Sequence, residues 1–168
     1  MKNKKLLSFI LLIILIVFLA LSQFFSQSFE EIPDNGKYVN TFIGTGGHGH
    51  TFPGATTPYG MVQLSPDTRT LGWDACGGYH HTDSSIIGFS HTHLSGTGIS
   101  DLGDFLFMPF SGKAKVTPGT PEDPDSGYRS RFNHSNEKSS PGFYSVLLKD
   151  YDIKAELTTT KRAGFHKY

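Results

Sequence analysis

The sequence predicts an all-β chain, an incomplete antiparallel β-sandwich preceded by an N-terminal signal segment. Short β-prone runs recur along it, separated by clusters of turn-forming residues. Helix signals are nearly absent beyond the first two dozen residues. The amino terminus itself is a basic stretch followed by an almost purely apolar one.

Met1-Lys2-Asn3-Lys4-Lys5 is the basic stretch, and Leu6 to Leu21 is apolar apart from Ser8. Ala20 and Ser22 stand three and one residues before a cut after Ser22, the small-residue pattern of a signal peptidase site. The apolar run is short for a bilayer span, so residues 1–22 read as a signal peptide, with a membrane anchor as the alternative. Residues 23–36 read as a linker and 37–168 as the domain. Export is the expected destination, to the periplasm, the cell surface or the extracellular space.

Within the domain the expected strands are Gly60–Leu64, Ile86–His91, Asp104–Met108, Phe143–Leu148 and Ile153–Thr158. Tyr38–Ile43 has strand composition as well. Ser65-Pro66-Asp67 and Lys149-Asp150-Tyr151-Asp152 read as turns. Thr117 to Ser140 is polar and rich in proline and glycine, the mark of a long surface excursion. Lys161 to Tyr168 has the character of a strand in progress with no polar tail, which suggests a domain truncated at its C-terminus.

Charge and cysteine exclude some functions. Without Lys2, Lys4 and Lys5, 12 basic residues face 15 acidic ones and no basic block remains, so nucleic acid is not an expected partner. Cys76 is the only cysteine, so no disulfide framework exists; it reads as a small buried side chain rather than a reactive thiol.

Six of the eight histidines and 13 of the 19 glycines lie between Gly44 and Gly103, a density that sheet-building does not need. Glycines let backbone approach backbone or ligand closely, and with His, Asp and Trp they suggest a loop-built polar surface. Gly44, Gly46 and Gly49 form a literal G-x-G-x-x-G, but Pro53, Gly54, Pro58 and Gly60 follow where a phosphate-binding loop needs a helix. His48 with His50, and His91 with His93, form H-x-H pairs. In a strand His91 and His93 share a face, as in a two-histidine metal site, with Asp101 or Asp104 as a third ligand. The other reading has these histidines bonded to backbone carbonyls beneath glycine-rich loops.

Trp73, the only tryptophan, stands among turn-formers in Gly72–Asp83 rather than in an apolar run. An exposed indole beside carboxylates is how proteins hold sugars, the ring taking the C–H face and polar neighbours the hydroxyls. A core position is the alternative.

Three segments, "YVNTFIGTGGHGHTFPGATTPYGMVQLSPDTR", "GWDACGGYHHTDSSIIGFSHTHLSGTGISDLGD" and "KRAGFHKY", in that order, resemble the amino-terminal domain of glycoside hydrolase family 92, the calcium-dependent exo-acting α-mannosidases. The resemblance covers residues 37–168. It implies an exported enzyme in which an N-terminal β-sandwich packs against a C-terminal (α/α)6 barrel, acting on α-mannosides or N-glycan-derived oligosaccharides with inversion. An inverting glycosidase needs a carboxylic acid for the leaving oxygen and a second carboxylate to activate water. By the resemblance both lie in the helical domain, as does the Ca²⁺ site. No catalytic residue and no metal ligand is therefore expected here, and Asp67, Asp74, Asp83, Asp101 and Asp104 are assigned to turns and loops. The resemblance also implies that the Trp73 loop helps form the leaving-sugar subsite; Trp73, Asp74, His50 and Cys76 are the candidate substrate-binding residues. A free-standing carbohydrate-binding module is the alternative function.

Overall fold

The computed structural model describes residues 11–19, 34–96 and 98–168. Two compact units divide the chain, Met1–Asp34 and Asn35–Tyr168. In the first, residues 11–19 are helical, and among the described residues no helix is long and apolar enough to cross a membrane. The basic stretch, the cut after Ser22 and most of the linker lie outside the described residues.

The second unit is all-β and antiparallel. β1 (Ala55–Thr56), β2 (Gln63–Asp67) and β4 (Gly88–Ser90) form one sheet in the order β1-β2-β4. β3 (Ser85–Ile86) pairs with β5 (Ser130–Arg131), and β6 (Lys138–Ser140), β7 (Phe143–Leu148), β8 (Ile153–Thr159) and β9 (Gly164–Lys167) form a four-stranded meander. β1 packs against β7 and β8, and β2 against β8. Ala155, Leu157 and Thr159 of β8 point inward while Lys154 and Thr158 face water, the two-residue period of a half-buried strand. Leu64, Ile86, Phe89, Tyr144, Val146, Leu148 and Leu157 are the body of the core. Each such large apolar side chain stabilises the fold by about 1.5–3 kcal/mol.

One carboxylate sits inside this core. Tyr144 Oη and Tyr79 Oη donate to Glu137 at 2.6 and 3.0 Å, and His134 Nδ1 lies 2.6 Å from it. Burial, with Glu137 beside it, raises the Tyr79 phenol far above its ordinary value. Glu137 thereby ties β7 to the Tyr79 loop.

The expected strands Phe143–Leu148 and Ile153–Thr158 stand as β7 and β8, and the last run as β9. Four expectations need correction. Ser65-Pro66-Asp67 is not a turn but the buried end of β2. Pro66 is tolerated because it faces Phe89, whose N–H and C=O both bond to Phe107 on the other side (2.9 and 3.0 Å), so no ladder bond is lost. Ile86–His91 splits between two sheets, and the Ile87 N–H between them donates to Asp67 O at 2.7 Å. Asp104–Met108 makes only the Phe89–Phe107 bridge, since Phe105 has φ of 56°. Tyr38–Ile43 is a set of turns: Asn40 Oδ1 accepts the Phe42 N–H at 3.0 Å, closing an Asx turn. The surface excursion also ends earlier than expected, since Arg129, Ser130, Phe132 and Glu137 are buried.

Candidate functional site: the Trp73 loop and its histidine support

After β2 the chain turns through Gly72, whose φ of 94° suits glycine, into a single 3-10 turn at Trp73–Ala75. The turn is closed by Ala75 N–H to Gly72 O at 3.2 Å. It buries Ala75 and Cys76 and leaves the indole of Trp73 59% exposed. Sequence composition had left Trp73 between surface and core; it is on the surface.

Beneath it lies the glycine-rich stretch. Gly49 N–H bonds to Gly46 O and Thr51 N–H to Gly44 O, at 3.0 and 3.3 Å. The approach is so close that a Cβ on Gly49 would lie 2.1 Å from Gly44 O. This fold aims both histidines of the first H-x-H pair at one atom. His48 Nδ1 and His50 Nε2 lie 3.1 and 3.2 Å from Asp74 Oδ1. Hydrogen bonds from His48 and then His50 hold the Asp74 carboxyl below the ordinary carboxylate range. It is therefore an ionised acceptor, unsuited to protonating a leaving oxygen. His50 is buried, stands edge-on to Trp73 with ring centroids 5.6 Å apart, and its carbonyl accepts Gly96 N–H at 2.8 Å.

Cys76 is also buried. Its Sγ lies 3.2 Å from Trp73 O and 3.0 Å from Gly98 O, close enough to pin the Trp73 turn to the following loop. Between them Trp73, Leu71 and Ile99 border an open groove of about 370 Å³. The four candidate residues thus form one cluster. His48, Gly96, Gly98 and Ile99 belong to it as well, and none of them was assigned to it from sequence. Local spacing carries no signal that His48 reaches a carboxylate 26 residues away.

The other histidines divide. His93 is buried, with Nδ1 2.7 Å from Gln63 O and Nε2 2.8 Å from Asp67 Oδ1. His80 Nε2 donates to Gly47 O at 2.9 Å, consistent with Thr82 Oγ1 at 2.9 Å from Nδ1. His91 instead approaches His166, Nε2 to Nε2 at 3.2 Å. His91 and His93 therefore do not converge. Among the described residues no three His, Cys, Asp or Glu side chains are disposed to hold a metal ion. The G-x-G-x-x-G stretch leads into extended chain and β1 without a helix, so it has no helix terminus to offer a phosphate.

The sequence model of the glycosyl hydrolase family 92 N-terminal domain matches residues 38–168. The chain belongs to that family. Among solved structures it is similar to a family 92 α-mannosidase of Bacteroides thetaiotaomicron, solved in complex with mannoimidazole. The two are 53% identical with a TM-score of 0.76, over 78% of this chain and 17% of the other. A family 92 inverting mannosidase of the same organism is 30% identical with a TM-score of 0.63, over 79% and 18%. An uncharacterized secreted glycosidase of Arthroderma benhamiae is 31% identical, covering 79% of this chain and 17% of its own length. The family 92 chain described here thus spans about a sixth of the length of these relatives.

Proposed function

We propose that this chain is the N-terminal domain of an exported, exo-acting α-mannosidase that hydrolyses with inversion, and that the Trp73 loop receives the leaving sugar. One observation carries the reading: an exposed indole, supported from below by a buried histidine and flanked by an ionised carboxylate, borders an open groove in a family 92 domain. The indole offers a flat apolar face to sugar C–H groups. Asp74 Oδ2, which neither histidine engages, accepts from a hydroxyl. His50 and Cys76 hold the loop in place from beneath.

The substrates proposed are α-mannosides or N-glycan-derived oligosaccharides, in keeping with the mannosidases to which the chain is similar. The acid, the base and the Ca²⁺ site are assigned to a C-terminal (α/α)6 domain. No step here is routed through Ca²⁺. Residues 1–22 act as the export signal or anchor, residues 23–36 as a linker and residues 37–168 as the domain; the secreted relative supports export.

Proton NMR of an α-mannoside incubated with the full-length protein tests the reading. β-Mannose appearing before mutarotation supports it, with residues 37–168 alone releasing none. α-Mannose as the first product contradicts inversion, and no hydrolysis of any α-mannoside counts against the enzyme and leaves the binding module.

A further inference from the structure

Arg129 is a buried cation held only by neutral groups. It is 4% exposed. Nη1 donates to Ser85 Oγ at 3.3 Å and Nη2 to Thr68 O at 3.2 Å. Nε is buried and has no acceptor. The neighbouring arginines differ: Arg69 forks onto Asp83 through Nε and Nη2, and Arg131 pairs with Asp125 and Asp150. Burial pulls the Arg129 guanidinium below its ordinary value, although the fields of Asp83 and Glu122 act the other way. Buried charge without a counter-charge is costly, and a ligand that supplies the counter-charge recovers that cost.

There is room for one. Arg129 lines a cleft of about 330 Å³ together with Arg69, Ile87 and the Pro118–Pro121 loop. That loop is fixed in place. Tyr128 N–H bonds to Thr117 O and Arg129 N–H to Pro118 O, at 2.8 and 3.2 Å. Gly119 has φ of 73°, and a Cβ on Gly127 would lie 2.0 Å from its nitrogen, so the loop folds tightly on itself. Thr120 Oγ1 accepts the Asp123 N–H at 3.0 Å, which leaves its own hydroxyl proton to donate.

We propose that the cleft between Arg129 and Arg69 binds a small oxyanion, a phosphate or carboxylate group carried by a ligand. The Arg129 guanidinium, the Arg69 Nη1 that Asp83 does not engage and a hydroxyl donor suit such a group, and the charge-assisted bonds it would form are the strong class. Thr70 and Leu71 border this cleft and the Trp73 groove alike, so the anion would sit beside the groove rather than in it. The site does not depend on the sugar reading.

Calorimetric titration of the full chain at pH 7 with inorganic phosphate, and separately with acetate, tests this against chloride at matched ionic strength. Saturable one-site binding of an oxyanion, absent for chloride, is expected. Tighter phosphate assigns a phosphate-bearing ligand, and tighter acetate a carboxylate-bearing one. Arg129→Met should weaken binding by about tenfold or more, the scale of a lost charged hydrogen bond. Glu122→Gln, an exposed change that folding tolerates, should tighten it by about two- to threefold by removing a repelling charge. No saturable binding to the folded wild type overturns the proposal. So does unchanged affinity in Arg129→Met, or unchanged or weaker affinity in Glu122→Gln, which decides the matter should Arg129→Met not fold.

Discussion

His50 stands edge-on to Trp73, with ring centroids 5.6 Å apart and planes at 76°. Edge-to-face aromatic contacts are worth about 0.5–1.5 kcal/mol beyond area burial. The same imidazole reaches Asp74, so His50→Ala removes both supports and opens a void beneath the loop. A loss of about 1–3 kcal/mol of folding stability is expected, as for a buried hydrogen bond left unmade. Trp73 is the only tryptophan, so its fluorescence reports the same change directly. Unchanged stability with unchanged emission would show that His50 does not support the indole.

The glycines of the opening motif differ in what they do. Gly49→Ala places a methyl 2.1 Å from Gly44 O, which the backbone must move to accept. A cost of about 1–3 kcal/mol, the range of overpacking, is expected together with altered Trp73 emission. Gly46 is the control: its nearest neighbour would be His81 Cβ at 3.7 Å, and its φ is not positive. Gly46→Ala should be tolerated. Chemical denaturation of the two variants side by side checks this, and equal costs would contradict it.

Cys76 is buried between two carbonyls. In the native protein a thiol reagent should not label it on the minute timescale, while denatured protein should react fully. Rapid native labelling would mean that the Trp73 turn opens freely, and that Cys76 does not pin it.

The His91–His166 contact predicts a pH dependence. Burial, with His91 beside it, pushes the His166 imidazole from 6.5 down to about 4. The folded state thus favours the neutral ring, and the unfolded chain binds the proton more readily. Its contribution to stability is present above about pH 6.5 and is lost progressively as pH falls toward 4. The Tm of wild type should therefore fall across that window more steeply than that of His166→Phe. Parallel slopes would contradict the assignment.

Legibility in the sequence followed how local the determinants are. β8 alternates between core and water, and β7 is a compact run of mostly apolar residues bounded by turn-formers, so both show in advance. β2 does not: Pro66 and Asp67 look like a turn, and only the partner strand makes proline acceptable there. β5 is two residues long and its neighbour Arg129 is buried, two properties that depend on the fold rather than on composition. At the site, composition left Trp73 between surface and core, and the assignment of Trp73 and Asp74 to a sugar subsite came from the family resemblance. The part played by His48 was not legible, because it depends on the glycine loop folding back to within reach of Asp74.

The central claim is that Trp73 stacks on a sugar and is not a core residue. Its 59% exposure means that Trp73→Ala should change stability by less than about 1 kcal/mol, where loss of a core tryptophan costs about 3–5 kcal/mol. The deciding measurement is kcat/KM of wild type and Trp73→Ala in the full-length protein, on mannobiose and on an aryl mannoside with a good leaving group. The account predicts a fall of about 10–100-fold on mannobiose, roughly 1.4–2.8 kcal/mol of transition-state stabilisation, and a much smaller fall on the aryl substrate. Equal losses on both substrates, with a sharply lowered Tm, would contradict it.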